Sequence, residues 1–245
     1  MSGCIHSRFL QYPLYLGYAA CALLSACEQS SGPDSPQYAP HAQPAEIVVH
    51  CGRLIDGLSD EPRLNQSIHI RGDRIVRIEA QGAAPPLASK TVIHDLTEFT
   101  CLPGLINTHV HFDGNPEDSV DYSIYARRTS DETLQLILDN ARTTLLTGFT
   151  TVRHVGAWFP DAVYRARELI ESGQVPGPRI QTAGPYLTIP GGGGDLTFPE
   201  IPAEDIPAES QQGIASTPEE FAARAEAAIA AGADFLKIIA SGAVF

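Results

Sequence analysis

Lysine is nearly missing from this 245-residue sequence: of sixteen basic side chains only Lys90 and Lys237 are lysines. Against them stand 29 Asp and Glu, a formal charge of −13, and no local run of Lys and Arg breaks that balance. Such a surface repels phosphate backbones, which excludes nucleic acid as a partner. Long apolar runs are also missing. The longest, from Leu10 to Leu24, is interrupted by Pro13 and Gly17 and falls short of the roughly 20 residues that span a bilayer. Aromatics make up only 7% of the chain, yet 43% of it is hydrophobic, enough for a folded core and unlike collagen, a coiled coil or a disordered chain.

The first 26 residues contain no acid and a single basic residue, Arg8. A charged start, an apolar middle and a small-residue end read as an export signal. Its end, Leu24-Ser25-Ala26-Cys27, resembles the bacterial lipoprotein signal, in which the cysteine is lipidated and becomes the new N-terminus. From Glu28 to Ala45 the chain holds Ser, Gly, Gln and four prolines, a composition that suits an extended spacer rather than a core. The expectation is a signal peptide over 1–26, a disordered tether over 27–45 and a protein exported to the bacterial cell envelope, held to the membrane by lipid on Cys27. With Cys27 lipidated, Cys51 and Cys101 are the remaining cysteines. The exported compartment permits a disulfide, but the sequence does not show that the two approach, and two buried free thiols are expected.

From Glu46 short alternating strands begin: Ile47–His50, Ser67–Ile70, Arg74–Ile78 and Thr91–Ile93, with Arg71-Gly72-Asp73 as a hairpin turn. After Pro103-Gly104 strands alternate with helices. Leu105–Phe112 reads as a strand, followed by a helix over Asp131–Thr147 with Leu134, Ile137, Leu138, Ala141 and Leu145 on one face. A strand over Phe149–Val155, a helix over Asp161–Ser172 and a strand over Pro178–Ala183 follow. Gly184–Ser216 reads as a long irregular loop containing four consecutive glycines, Gly191–Gly194. Thr217-Pro218-Glu219-Glu220 opens a helix with a capping box, and Phe235–Ala240 is the last strand. Alternation of this kind predicts parallel βαβ units, with chemistry at the C-terminal ends of the strands.

Two features there carry chemistry. His109 and His111, two apart on a strand, point to one face roughly 6.6 Å apart, a spacing that lets two imidazoles meet one cation. A core histidine beside a loop histidine is the plainer alternative. Lys237 lies in Phe235-Leu236-Lys237-Ile238-Ile239, a run expected to be buried on both faces of a parallel sheet. A buried amine is costly unless compensated. An ion pair, a Schiff base or carbamylation to an anionic metal ligand would each compensate it, and the residues alone leave the three open.

Four blocks in order resemble the metal-dependent amidohydrolase superfamily, in its imidazolonepropionase-like and Xaa-Pro dipeptidase-like branch. They are Leu102-Pro103-Gly104-Leu105-Ile106-Asn107-Thr108-His109-Val110-His111, Leu146-Thr147-Gly148-Phe149-Thr150-Thr151-Val152-Arg153, Val175-Pro176-Gly177-Pro178-Arg179 and Gly232-Ala233-Asp234-Phe235-Leu236-Lys237-Ile238. The resemblance implies an α/β chain: a partial β-sandwich over 46–102, then the first four strands of a (β/α)8 TIM-type barrel over 103–245. It implies that His109 and His111 bind one metal and that carbamylated Lys237 bridges two divalent ions, expected to be zinc. The implied reaction is attack of a metal-bridging hydroxide on an amide-like C–N bond of a small dipeptide or cyclic amide. This chain departs from the branch at Gly193, where a histidine is usual, and at His154, where an aspartate is usual; both bear on substrate positioning.

The branch places further histidine ligands and an aspartate base on later strands, beyond Phe245. The chain is therefore expected to be an N-terminal fragment, inactive by itself, with open strand edges that favour oligomers. A non-catalytic, lipid-anchored binding remnant of the same fold is the alternative, and an all-β cupin-like protein fits the patterned helices poorly. Replacing Cys27 with serine is expected to shift the protein from the membrane to the soluble fraction, which fractionation and immunoblotting would show; a chain that stays membrane-bound overturns the anchor.

Overall fold

The computed structural model describes residues 46–83, 91–197 and 201–242. The expected signal and tether, with Cys27, lie outside the described residues, as does Lys90.

The first part is one mixed sheet built from β1 (Glu46–Leu54), β2 (Arg63–Arg71), β3 (Arg74–Ala80) and β4 (Thr91–Cys101). Its order is β3-β2-β1-β4, with both hairpin pairs antiparallel and β1 parallel to β4. Arg71-Gly72-Asp73 turns the β2–β3 hairpin, with Gly72 at φ +57°. Cys51, Leu54 and Ile68 form a small buried cluster joined by Val49, Ile70 and Ile78. The second layer of a sandwich does not occur among the described residues. β4 runs well past the expected Thr91–Ile93 and corrects the thiol expectation, because Cys51 and Cys101 form a disulfide with Cα atoms 6.0 Å apart. The cause is a bulge. While β1 advances from Cys51 to Arg53, its partner on β4 jumps from Leu96 to Thr100, which brings the end of β4 back over Cys51. Gly52 permits this, since a Cβ there would collide with the Thr97 carbonyl.

The second part alternates strands and helices in the expected order. β5 (Leu105–Val110) leads to a short helix α1 (Ser123–Arg127), then α2 (Ser130–Leu146), β6 (Phe149–His154), α3 (Pro160–Glu171) and β7 (Arg179–Thr182). Thr129 and Glu132 form a reciprocal capping box at the start of α2, and the positive φ of Gly148 (+98°) lets the chain leave the helix for β6. Leu134, Ile137 and Ala141 on α2 pack with Ala162, Val163 and Ala166 on α3 over Val152 and Ile180 of the sheet. Burial of this stripe, at about 25 cal/mol per Å² of apolar surface, is what fixes the helices to the strands.

β5, β6 and β7 pair in parallel. Beyond Thr182 the chain kinks at Ala183–Pro185 and resumes as β8 (Tyr186–Leu187), which pairs in parallel with β9 (Lys237–Ile238). Helix α4 (Pro218–Ala230) separates them. Thr217 caps α4 by accepting the Glu220 N–H, but the Glu220 carboxylate takes the N–H of Ser216 rather than that of Thr217, so the expected box is displaced by one residue. Before β9, the Asp234 N–H donates to the Thr182 carbonyl at 2.8 Å. Its carboxylate accepts the Thr182 N–H at 2.9 Å and Arg167 of α3 at 3.0 Å.

The described part of Gly184–Ser216 is mostly irregular, as expected, with only β8 and two short 3₁₀ turns, yet Leu187, Thr188, Leu196, Ile201 and Ala215 are buried, and Leu196 and Ile201 join the main core. Proline and glycine there set turns, while scattered apolar residues supply anchors that no periodicity reveals. The run around Lys237 is not buried on both faces. Lys237 is half-buried and Ile238 is 63% exposed, because among the described residues only β8 pairs with it and its other edge is free.

Cutting the disulfide, by reduction or by Cys51→Ser, is expected to cost about 2–4 kcal/mol of stability. A fall in melting temperature confined to the oxidised wild type on adding reductant checks this; an unchanged melting point sinks it.

Candidate active site

The parallel strands end together on one side of the sheet, and of the residues singled out from the sequence His111, Gly193 and Lys237 line one pocket there, whereas His109 is exposed beside His111. His109 sits in β5 and His111 just past its end, with ring centroids 5.4 Å apart. His111 in turn lies 5.8 Å from His154, the last residue of β6, and 5.8 Å from Tyr186, the first of β8. Lys237 of β9 and His111 line one pocket of about 370 Å³, shared with Asp113, Tyr122, Tyr125 and Trp158. His111 and Lys237 are thus brought to one cavity.

His111 is oriented by its inner nitrogen. Nδ1–H donates to the Gly156 carbonyl at 3.0 Å, with the Tyr186 hydroxyl 2.9 Å from the same atom. That fixes the tautomer and leaves Nε2 with a bare lone pair, the arrangement of a metal-ligating histidine. Burial of the inner edge, reinforced by the neighbouring imidazoles and opposed by Asp113, holds the His111 pKa below the ordinary value. The ring therefore stays neutral, the form that binds metal. Burial pushes the Tyr186 hydroxyl well above its usual pKa, so it remains a phenol.

Behind these groups lies a buried support that the sequence pattern did not reveal. Asn140 of α2 donates from Nδ2 to the Phe112 carbonyl at 2.9 Å, pinning the turn after His111. The Phe112 N–H donates to His154 Nε2 at 2.9 Å, and His154 is fully buried. Asp113, 3% exposed, places Oδ1 3.5 Å from the same nitrogen, while its Oδ2 and His154 Nδ1 have no hydrogen-bond partner. Burial raises the Asp113 pKa, but the His154 and His111 imidazoles outweigh it and hold the carboxyl below its usual value. His154 is therefore part of the scaffold under His111, in a place where the expected aspartate could not accept an N–H and face Asp113 without repulsion between two carboxylates. The glycine run is fixed as well: Asp195 accepts the Gly191 N–H at 2.8 Å, and Trp158 Nε1–H donates to the Gly194 carbonyl at 3.0 Å.

A divalent ion fits at His111, whose Nε2 is free while Nδ1 is held by the Gly156 carbonyl. Among the described residues no cluster of three or more His, Cys, Asp or Glu forms a complete ligand set.

The site is thus the end of a parallel α/β sheet that carries a His-x-His pair, with a lysine in the same pocket as His111. The amidohydrolase family matches residues 100–245, more than half of the chain, and the chain belongs to that family. No curated protein sequence matches it. Among solved structures it is similar to a Xaa-Pro dipeptidase with methionine bound in its active site, at 32% identity and a TM-score of 0.67, over 79% of this chain and 46% of that one. It is also similar to a prolidase in complex with N-methylphosphonate-L-proline, at 26% identity and a TM-score of 0.66, over 81% and 47% of the two chains. The ochratoxinase of A. niger, 21% identical with a TM-score of 0.64 over 82% and 48%, shares the fold. The chain spans about half the length of these structures.

Gly156 has φ +109°, and a Cβ there would lie 2.5 Å from the Tyr186 ring. Gly156→Ala is expected to displace Tyr186 and the carbonyl that holds His111, weakening zinc uptake at least about tenfold. Zinc titration with a chelator competitor measures this; unchanged affinity in a folded variant refutes the orienting role.

Proposed function

We propose that this chain supplies the first half of the active site of a zinc-dependent hydrolase that cleaves amide-like C–N bonds in dipeptides or cyclic amides, held at the bacterial cell envelope by lipid on Cys27. The observation that carries this reading is that His111, its Nδ1 held by the Gly156 carbonyl, lines the same pocket as Lys237. Membership of the amidohydrolase family supports it, as does likeness to a Xaa-Pro dipeptidase and a prolidase.

In this reading His109 and His111 would hold a divalent ion, and Lys237, once carbamylated, would supply an anionic oxygen ligand in the pocket that His111 lines. The chemistry such a metal supplies is polarisation of the scissile carbonyl and delivery of hydroxide to it. The chain's own residues do the rest. The Gly156 carbonyl, which can only accept, keeps His111 in the Nε2-free tautomer, with the Tyr186 hydroxyl against the same nitrogen. The β8–β9 pairing sets Lys237 at the pocket. The walls formed by Tyr122, Tyr125 and Trp158 exclude water from one side of the substrate.

The test is zinc binding by the 245-residue chain in bicarbonate buffer, with N-methylphosphonate-L-proline as ligand. Zinc uptake is expected to fall at least about tenfold in His111→Ala and to require Lys237, whose carbamate ¹³C-bicarbonate labelling would show by NMR. The phosphonate should bind only with zinc present. Zinc uptake indifferent to both substitutions, or phosphate-ester cleavage without amide cleavage, overturns the proposal.

A further inference from the structure

In the loop that leaves β5, the carbonyls of Phe112, Asp113 and Gly114 follow His111, and each is held by a side chain from outside the loop. Asn140 of α2 donates from Nδ2 to the Phe112 carbonyl at 2.9 Å and to that of Gly114 at 3.3 Å, with Asn115 Oδ1 at 3.4 Å. Arg128, just before α2, reaches the Asp113 carbonyl at 3.4 Å and is itself anchored to the buried Asp118 at 2.7 Å. The Asp118 carboxylate in turn accepts the Asn115 N–H at 2.9 Å.

Helix chemistry alone does not account for Asn140. It sits inside a 17-residue helix, where asparagine is a poorer helix former than leucine or alanine. It lies one turn on from the buried Ile137, on the side of α2 that meets the loop. What asparagine adds there is a fork. Its two nearest neighbours are carbonyl oxygens, which only accept, so the amide must present its N–H bonds to them. Leucine offers no donor, and an aspartate would set a carboxylate against those oxygens.

We infer that Asn140 is a positioning residue for His111, holding the loop over 112–115 and, through it, the direction of the imidazole. A ring tethered at Nδ1 alone can pivot about that bond to Gly156. Its Nε2 is aimed only when the backbone is fixed as well. That happens at Phe112, whose N–H goes to His154 and whose carbonyl goes to Asn140. The inference rests on the hydrolase reading only for what Nε2 is aimed at, a divalent ion; the aiming belongs to the metal-free chain.

The experiment reads both side chains by NMR, on the 245-residue chain labelled with ¹⁵N in histidine and asparagine at neutral pH. In the metal-free wild type the Asn140 Nδ2 hydrogens are expected to exchange with water at least about tenfold more slowly than those of free asparagine. His111 is expected to show a protonated Nδ1 and a bare Nε2. Asn140→Leu should mix the two His111 tautomers and lower zinc affinity about tenfold, whereas Ile137→Val, which trims the core of the same helix, should change neither. Fast exchange of the Asn140 amide overturns the inference without any variant, so the test holds even if Asn140→Leu does not fold. An equal response of His111 to both substitutions overturns it too, because Asn140 would then act only through helix stability. So does no response to either, or unchanged zinc affinity in a folded Asn140→Leu chain. A wild-type chain that takes up no zinc, but whose His111 tautomer still depends on Asn140, keeps the positioning role and removes the hydrolase reading instead.

Discussion

The hydrogen bond from the Phe112 N–H to His154 Nε2 is the contact on which the site is built. It joins the turn after β5 to the end of β6, at the level where the strands stop and chemistry begins. Because His154 is fully buried, nothing in water competes for that bond, and the low-dielectric surroundings make its loss costly. Asn140 secures the same turn from the helix side through the Phe112 carbonyl. Both polar groups of one peptide neighbour are thereby fixed, and His111, the residue before it, is left free to point outward.

Much of this was legible in the sequence. The apolar stripe of α2 and the caps at Thr129 and Thr217 announce themselves because helical period and capping chemistry are local rules. The pair His109 and His111 was legible for the same reason: strand alternation sends both to one side. What stayed hidden depends on contacts between distant segments. Nothing near Cys51 or Cys101 signals that a bulge in β4 brings them together. The packed course of Gly184–Ser216 was equally hidden, because Leu196 and Ile201 reach the core without periodicity. Asn140 reads as an ordinary surface helix residue until the turn it holds is seen. The half-exposed state of Lys237 was equally hidden, because it depends on which segments pack beside β9, and among the described residues only β8 pairs with it.

The mixed sheet and the β5–β7 sheet answer different demands. The parallel one carries a substantial core against α2 and α3 and presents a polar rim of histidines. The mixed one has a thin cluster around Cys51 and leaves Ile75, Val76, Ile93 and Phe99 exposed. A covalent staple suits a sheet with little apolar burial of its own, since it removes disorder from the unfolded chain rather than adding contacts to the folded one.

Asp234 has a role that outlasts folding. Its backbone and carboxylate together clasp Thr182 and Arg167, three residues ahead of Lys237. The segment leading into β9 is thus already immobilised when a ligand arrives. Ordering that stretch of backbone costs on the order of 1–2 kcal/mol per residue, and here the entropy is surrendered once, during folding. Affinity for whatever Lys237 meets is then not diminished by a search through loose conformations.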